Sequence, residues 1–398
     1  MPKIKICFCA IFKNESKNVY RCLNAVKNII DCVSICDTGS TDNTIELINQ
    51  WGQDNNIPCT VHHGPDQVFK NFGHNRSLSY NYAVKTYPTS DYVLLIDADM
   101  VLVIEPTFDK NSLKDDHYLF QQVTNELKYY NTRLISTKYE WKCRGVTHEY
   151  WDANNDKITR NNFKDIWIND IGDGGCKENK FKRDIRLLTE GLENSNESYE
   201  LKNRYMFYLA QSYKDIGDYE NSIKWYLSRA KHKGYTKDVY DKYFKSLNHY
   251  KDLEDYEKDH RYKEEVFYCY FYVGENYRNL GEKEKSVGFY LESWNYRPQR
   301  AEPLYELANM YRLEKDKQQL AMLFAKKAIT IPYPKNDGLF VRYKVYEYKI
   351  LEEISICAWY TNEKALGKAI CEKLLSMKDK IPNGLYERTL KNYEFYKK

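Results

Sequence analysis

The sequence predicts two successive architectures: an α/β domain on a mostly parallel sheet over residues 1–180, then an all-α domain of repeated helix pairs over 181–398. Three observations carry this reading. Short apolar, β-rich runs alternate with amphipathic segments through the first hundred or so residues. Each of these runs ends in a polar, turn-forming cluster. Beyond Lys180 the chain turns helical and self-similar, at a period of about 34 residues.

A chain of 398 residues exceeds one ordinary core and suits two domains. Hydrophobic residues make up 42% and charged residues 30%, a globular balance. The net charge of +4 is small for this length and no basic stripe stands out, so no nucleic-acid partner is expected. The eleven cysteines include no C-x-x-C pair and no Cys/His spacing suited to zinc. They read as small buried residues of a reducing compartment, the cytoplasm. The apolar run 4–12 is broken by Lys5 and lacks a cleavage pattern, so it reads as a strand and not as an export signal. No apolar stretch is long enough to span a bilayer.

Taken in order, the first strand, 4–12, runs into Lys13-Asn14-Glu15-Ser16, with Ser16 placed to cap a helix whose stripe is Val19, Leu23, Val26 and Ile30. A second strand, 32–36, runs into Asp37-Thr38-Gly39-Ser40-Thr41-Asp42. Gly39 permits a tight turn there, and Ser40 to Asp42 offer caps for a helix carrying Ile45, Ile48 and Trp51. A third strand, 59–62, precedes a Gly-Pro loop, a helix near 75–85, and a strand at 92–96 that ends in Asp97-Ala98-Asp99.

Strands joined by right-handed crossovers form a Rossmann-like sheet, and their polar tails lie along one edge. That carboxyl edge is where open α/β sheets bind ligands, so three tails converging there predict a nucleotide pocket. Asp97 and Asp99 are hard oxygen donors suited to Mn²⁺ or Mg²⁺ carrying phosphates. The plainer alternative makes Asp99 a turn cap and Asp97 a solvated carboxylate. Neither G-x-G-x-x-G after the first strand nor a P-loop occurs, so dinucleotide binding and P-loop chemistry lose support. A nucleotide-sugar site fits better.

Shorter strands are expected at 120–124, 133–136 and 139–143, followed by a turn that sets His148 beside Glu149. A second polar cluster, Asn169-Asp170-Ile171-Gly172-Asp173-Gly174-Gly175, offers Asp170 or Asp173 to a ligand. In the repeats, Leu209, Ala210, Tyr213, Gly217, Tyr219 and Tyr226 fall on tetratricopeptide positions, and so, from Phe267, do Val273, Gly274, Tyr277, Gly281, Tyr290 and Pro298. They recur again from Ala301 as Leu307, Ala308, Tyr311 and Phe324, which is the tetratricopeptide pattern of stacked helix pairs. A degenerate copy is expected near 235–266 and a last one near 348–377. Most of these aromatics are expected to pack helix against helix.

These stretches together resemble family 2 glycosyltransferases of the GT-A fold fused to tetratricopeptide repeats. The likeness lies in Phe12-Lys13-Asn14-Glu15, Asp37-Thr38-Gly39-Ser40-Thr41-Asp42, Gly73-His74-Asn75-Arg76-Ser77, Asp97-Ala98-Asp99 and Gly145-Val146-Thr147-His148-Glu149. It continues through Gly172-Asp173-Gly174-Gly175 and the segment 180–186. The resemblance implies a UDP-sugar donor held by Asn14, Glu15, Asp37, Gly39, Ser40, Arg76 and Asp97, with Asp37 on a uracil edge. It also implies Mn²⁺ or Mg²⁺ on Asp99 and Asp97, and inversion at the anomeric carbon with Glu149 as base. Asp170 and Asp173 are alternatives for the base, and His148 for a metal ligand or its support. The family pattern carries a histidine where this chain has Ile171. The acceptor is read as a polypeptide on the repeats, otherwise a glycan, and a homodimer through the repeats is an alternative use of the same surface. Two other functions remain: a nucleotidyltransferase, lacking the expected Gly-rich basic loop after the first strand, and an inactive repeat scaffold.

Overall fold

The computed structural model describes residues 3–124, 128–153, 155, 157–174, 180–230 and 260–397. The chain divides into two compact units, Met1–Ser212 and Tyr213–Lys398.

The first unit is built on an eight-stranded sheet. Its parallel half comprises β1 (Ile6–Phe12), β2 (Cys32–Asp37), β3 (Cys59–His62) and β4 (Tyr92–Leu95), in the order β3-β2-β1-β4. Cys7 lies opposite Cys32 on one side of β1 and Val93 on the other, and both pairings are parallel. Residues of β1, β2 and β4 are buried on both faces, which is why these runs carry no polar alternation. One face packs on α1 (Val19–Val26) and α2 (Thr44–Asn55), the other on α3 (Phe72–Thr86).

Past β4 the sheet becomes mixed. Strands β5 (Met100–Ile104), β6 (His117–Val123), β7 (Lys128–Ser136) and β10 (Arg160–Asp170) extend it in the order β4-β7-β6-β10-β5. A separate ribbon pairs β8 (Lys142–Arg144) with β9 (Tyr150–Asp152). Helices α4 (Lys180–Glu193) and α5 (Tyr199–Asp215) follow.

Some local expectations need correction. Ser16 caps nothing: α1 begins after Asn18 without a side-chain cap, and Asn18 instead donates to Glu15 Oε2 at 2.8 Å. The α2 N-cap is Asn43, while Asp42 accepts from the Thr44 amide at 3.1 Å. The strand expected at 139–143 starts at Lys142, because Trp141 is turned back to donate to the Ser136 carbonyl at 2.8 Å. Strand β10 was not expected at all. Its first half is exposed and polar, and its pairing partners lie 43 to 70 residues earlier in the chain.

The second unit is helical. It contains α6 (Tyr219–Ala230), the pairs α7 (His260–Asn279) with α8 (Lys283–Tyr296), α9 (Glu302–Arg312) with α10 (Gln318–Ile329), and α11 (Ile350–Tyr360) with α12 (Lys364–Leu375). A last helix, α13 (Asn383–Tyr396), packs on α12. At Gly274 a Cβ would stand 2.9 Å from the Tyr290 ring, so the small residue of the repeat pattern lets α7 and α8 cross closely. The degenerate copy near 235–266 falls largely outside the described residues. Among the described residues no helix is long and apolar enough to cross a membrane.

Candidate active site

The three polar tails meet as the parallel topology requires. Asn14 adopts a left-handed backbone (φ 55°), and its amide donates to Ser40 Oγ at 2.8 Å while its Oδ1 accepts from the Thr41 amide at 2.8 Å. The Glu15 amide donates to Thr44 Oγ1 at 2.8 Å. The loops after β1 and β2 are thus tied together by direct hydrogen bonds. Asp37 is buried and turned onto its own loop, where Oδ1 accepts from the amides of Gly39 (3.0 Å) and Ser40 (2.8 Å) and Oδ2 from Ser40 Oγ (2.5 Å). Gly39 at φ 108° makes that turn possible.

Along this edge lies a cleft of about 480 Å³. Four carboxylates line it, Glu15, Asp97, Asp99 and Asp170, together with the cations Lys13, Arg76, Lys180 and Arg183. Phe69 and Phe72 form an aromatic wall, edge to face at 5.0 Å, and Arg183 lies 5.0 Å over the Phe72 ring. Asp170 arrives through β10: the antiparallel register sets it opposite Met100, the residue after Asp99. Gln122 Nε2 on β6 donates to Asp170 Oδ2 at 2.8 Å, and Gln122 Oε1 accepts from Arg133 Nη2 on β7 at 2.6 Å.

Two arginines face Asp97. Arg76 Nη1 is 2.7 Å from Oδ1 and Arg133 Nη1 is 3.7 Å from Oδ2. Burial alone would raise the Asp97 carboxyl, but Arg76 and Arg133 outweigh it and hold it below the usual carboxylate range. Burial likewise works against the Arg76 charge, yet Asp97 and Glu149 raise its pKa above the ordinary value. Glu149 reaches Arg76 from the other side, Oε1 to Nε at 2.6 Å, and is not among the residues lining the cleft.

The remaining sequence candidates stand apart from the cleft wall. His148, in a left-handed conformation (φ 52°), stacks on Tyr208 with centroids 3.7 Å apart, and its carbonyl accepts from Arg204 Nε at 2.7 Å. Burial, Arg204 and Lys180 push its imidazole down to about 3, so it is neutral at ordinary pH. Asp173 makes a two-pronged pair with Arg21 of α1, at 2.8 and 2.5 Å, and that bond first of all raises the Arg21 pKa. Gly174 closes the far rim: a Cβ there would stand 3.1 Å from Asp99 Oδ2 and 3.3 Å from Glu15 Oε1. This shared approach puts Asp99 and Glu15 side by side.

Sequence reasoning did not single out Arg133, Gln122, Phe69 or Phe72. A lone arginine inside the buried end of β7 was the available signal for Arg133, since an unpaired charge is not tolerated there. Phe69 and Phe72 carried no comparable mark.

Residues 7–105 match the model of glycosyl transferase family 2, a match that supports glycosyltransferase activity and a nucleotide-sugar donor. No curated protein matches the chain. Among solved structures, a tetratricopeptide repeat protein from Parabacteroides merdae is 14% identical, with 55% of this chain and 68% of that one covered, at a TM-score of 0.36. BtubC from P. vanneervenii is 15% identical over 52% of this chain and 78% of its own, at a TM-score of 0.36. The yeast Sti1 TPR2AB domain, solved with pHSP90, is 16% identical over 56% and 81%, at a TM-score of 0.27. The helix pairs of this chain, and not these likenesses, are what make its C-terminal unit a repeat array. Through residues 7–105 the chain is matched by the family 2 glycosyltransferase model, and it joins that domain to a helical array of tetratricopeptide type.

Proposed function

We propose that the protein moves a hexose or N-acetylhexosamine from a UDP-sugar to an acceptor hydroxyl, with inversion and with Mn²⁺ or Mg²⁺ in the site. The observation that carries this is one cleft at the carboxyl edge in which Glu15, Asp97, Asp99 and Asp170 face Lys13, Arg76, Lys180 and Arg183 beside an aromatic wall. A nucleoside diphosphate needs that combination: an apolar surface for the base, cations for phosphate oxygens, and carboxylates for an ion. The donor set fits the ion, because Asp99 and Glu15 stand side by side beneath Gly174. Among the described residues no three His, Cys, Asp or Glu side chains form a closed metal cage. Mg²⁺ ordinarily takes only one or two carboxylates and completes its shell with phosphates and water. Asp99 would hold it, and bound there it would neutralise charge on the departing diphosphate.

Asp97, with both oxygens turned to arginines, orients this edge. For the acceptor proton we assign Asp170 in preference to Glu149. Asp170 lines the cleft with one oxygen held by Gln122, whereas Glu149 is engaged by Arg76 and Asp173 by Arg21. A base must reach the proton it removes. The proposed acceptor is a polypeptide, because helical repeat arrays form extended surfaces that hold peptides. The buried free thiols, among them Cys7, Cys9 and Cys22, support a reducing compartment, the cytoplasm.

Thermal melts with Mn²⁺ plus UDP, GDP, CDP or ADP test the donor site. UDP at 100 times its Kd should stabilise the fold by about 2.7 kcal/mol, with both the metal and Asp99 required. No response to any nucleotide would leave an interaction scaffold, and release of pyrophosphate in place of UDP would indicate a nucleotidyltransferase. Label from a UDP-sugar should enter protease-sensitive material; entry into protease-resistant glycan alone would overturn the polypeptide acceptor.

A further inference from the structure

Among the described residues of the C-terminal unit a left-handed residue precedes the second helix of each pair: Gly217 (φ 80°) before α6, Gly281 (φ 77°) before α8, Asp316 (φ 60°) before α10 and Asn362 (φ 59°) before α12. Glycine, aspartate and asparagine are the residues that tolerate this geometry. Gly281 and Asp316 are 35 positions apart, whereas Asp316 and Asn362 are 46 apart, so the second interval carries eleven extra residues. The connection after α10, 330–342, is thirteen residues long against five (297–301) after α8, and the helix that follows is also longer, beginning at 343 and passing through a π-helical stretch, Val345–Lys349, into α11. The helix pairs on both sides of this connection remain intact.

This segment is spent on the face of α7. Asp337 is buried between Arg297 (2.9 and 2.6 Å) and Arg300 (3.2 Å), with all three side chains at most 4% exposed. The amides of Gly338 and Leu339 donate to the Glu264 carboxylate at 3.4 and 2.7 Å. The Phe340 carbonyl accepts from the Tyr268 hydroxyl, and the Phe340 ring meets the Tyr268 ring edge to face at 5.6 Å. Arg342 lies 4.7 Å over the Phe271 ring and donates to Glu275 at 3.0 Å and Glu306 at 3.1 Å.

The partners on α7 are Glu264, Tyr268, Phe271 and Glu275. Steps of four, three and four residues put them on one helix face. From first to last they rise about 16 Å, and the four residue steps from Gly338 to Arg342 reach at most about 14 Å before the arginine side chain extends. The chain therefore passes along the helix in order, with side-chain pockets and captured amides, as a bound peptide does.

We propose that residues 332–342 are an internal ligand. The face formed by α7, α9 and the Arg297–Arg300 turn is a peptide-binding groove, and the chain keeps it filled with its own Asp337-Gly338-Leu339-Phe340-Val341-Arg342. The partner that fits is a polypeptide segment with an acidic residue three positions before an aromatic one and five before a basic one. Such a segment reaches the groove only when residues 332–342 leave it. The inference does not rest on the glycosyltransferase reading, although it bears on any polypeptide acceptor.

The test uses the full chain with residues 332–342 deleted, which returns the long interval to the 35 positions of its neighbour. The probe is a fluorescent synthetic peptide of residues 332–344. The deleted protein should bind it at least tenfold more tightly than wild type does, and a peptide with Asp337→Ala and Phe340→Ala should not bind. A deleted protein that melts cooperatively yet ignores the peptide, or wild type that binds it equally well, overturns the proposal. Should the deletion fail to melt cooperatively, the full-length Asp337→Ala/Phe340→Ala variant takes its place under the same two criteria.

Discussion

At Arg76 two carboxylates share one guanidinium, Asp97 on Nη1 and Glu149 on Nε, and only Asp97 also borders the cleft. This division yields distinct expectations for two neutral substitutions. Asp170→Asn should lower kcat by about 10²–10⁴-fold, the usual worth of a general base, while UDP still stabilises the fold in a melt. Loss of that stabilisation would make Asp170 a part of the metal site instead. Glu149→Gln should cost about 0.5–3 kcal/mol of stability in chemical denaturation, as expected when one carboxylate of a mostly buried ion pair is neutralised, with Asp97 still neutralising Arg76. His148 supplies a pH signature. Its folded pKa is lowered to about 3, so its contribution is complete above the unfolded value near 6.5 and is lost as pH falls toward 3. Between those values stability should fall by up to about 1.4 kcal/mol per pH unit from this group. His148→Asn, which suits the left-handed backbone, should flatten that slope in urea titrations run at pH 4, 5 and 6.

Among the elements, α3 shows how tightly this edge is assembled. A Cβ on Gly73 would stand 2.3 Å from the Gly145 carbonyl oxygen and 3.0 Å from that of Cys143, and both obstacles are backbone. Gly73→Ala must therefore push α3 from the β8 ribbon, displacing Phe72 and Arg76 with it. We expect a loss of about 1–3 kcal/mol in chemical denaturation and weaker UDP binding than wild type, measured by the same melts. Unchanged stability would mean that the α3–β8 contact is slack. Strand β10 shows the opposite dependence. Its residues Arg160 to Asn162 are exposed and its register shifts between Phe163 and Trp167, so no local pattern declares a strand. Pairing with β5 and β6 is what brings Asp170 to the cleft.

For the whole molecule, the division into Met1–Ser212 and Tyr213–Lys398 predicts where a donor nucleotide is felt. Hydrogen exchange with and without UDP and Mn²⁺ should show added protection in the first unit, on the segments around Glu15, Asp37, Asp97 and Asp170. Protection confined to the second unit would place the nucleotide elsewhere.

By itself the sequence determined the parallel β1–β4 core, the helical repeats, and the meeting of the Asn14–Glu15, Asp37–Ser40 and Asp97–Asp99 turns, because each follows from local periodicity and a topological rule. Tertiary structure alone decided which carboxylates border the cleft. Glu149, Asp173 and Asp170 look equivalent in the chain, all acidic and in polar turns. They differ through partners from distant elements: Arg76 on α3 for Glu149, Arg21 on α1 for Asp173, and Gln122 on β6 for Asp170. The long interval from Asp316 to Asn362 is visible in the sequence as a lengthened repeat, but the placement of Gly338–Arg342 along α7 is not. A segment's partners depend on contacts 40 to 75 residues away, such as Asp337 with Arg297 and Leu339 with Glu264, and spacing along the chain does not encode them.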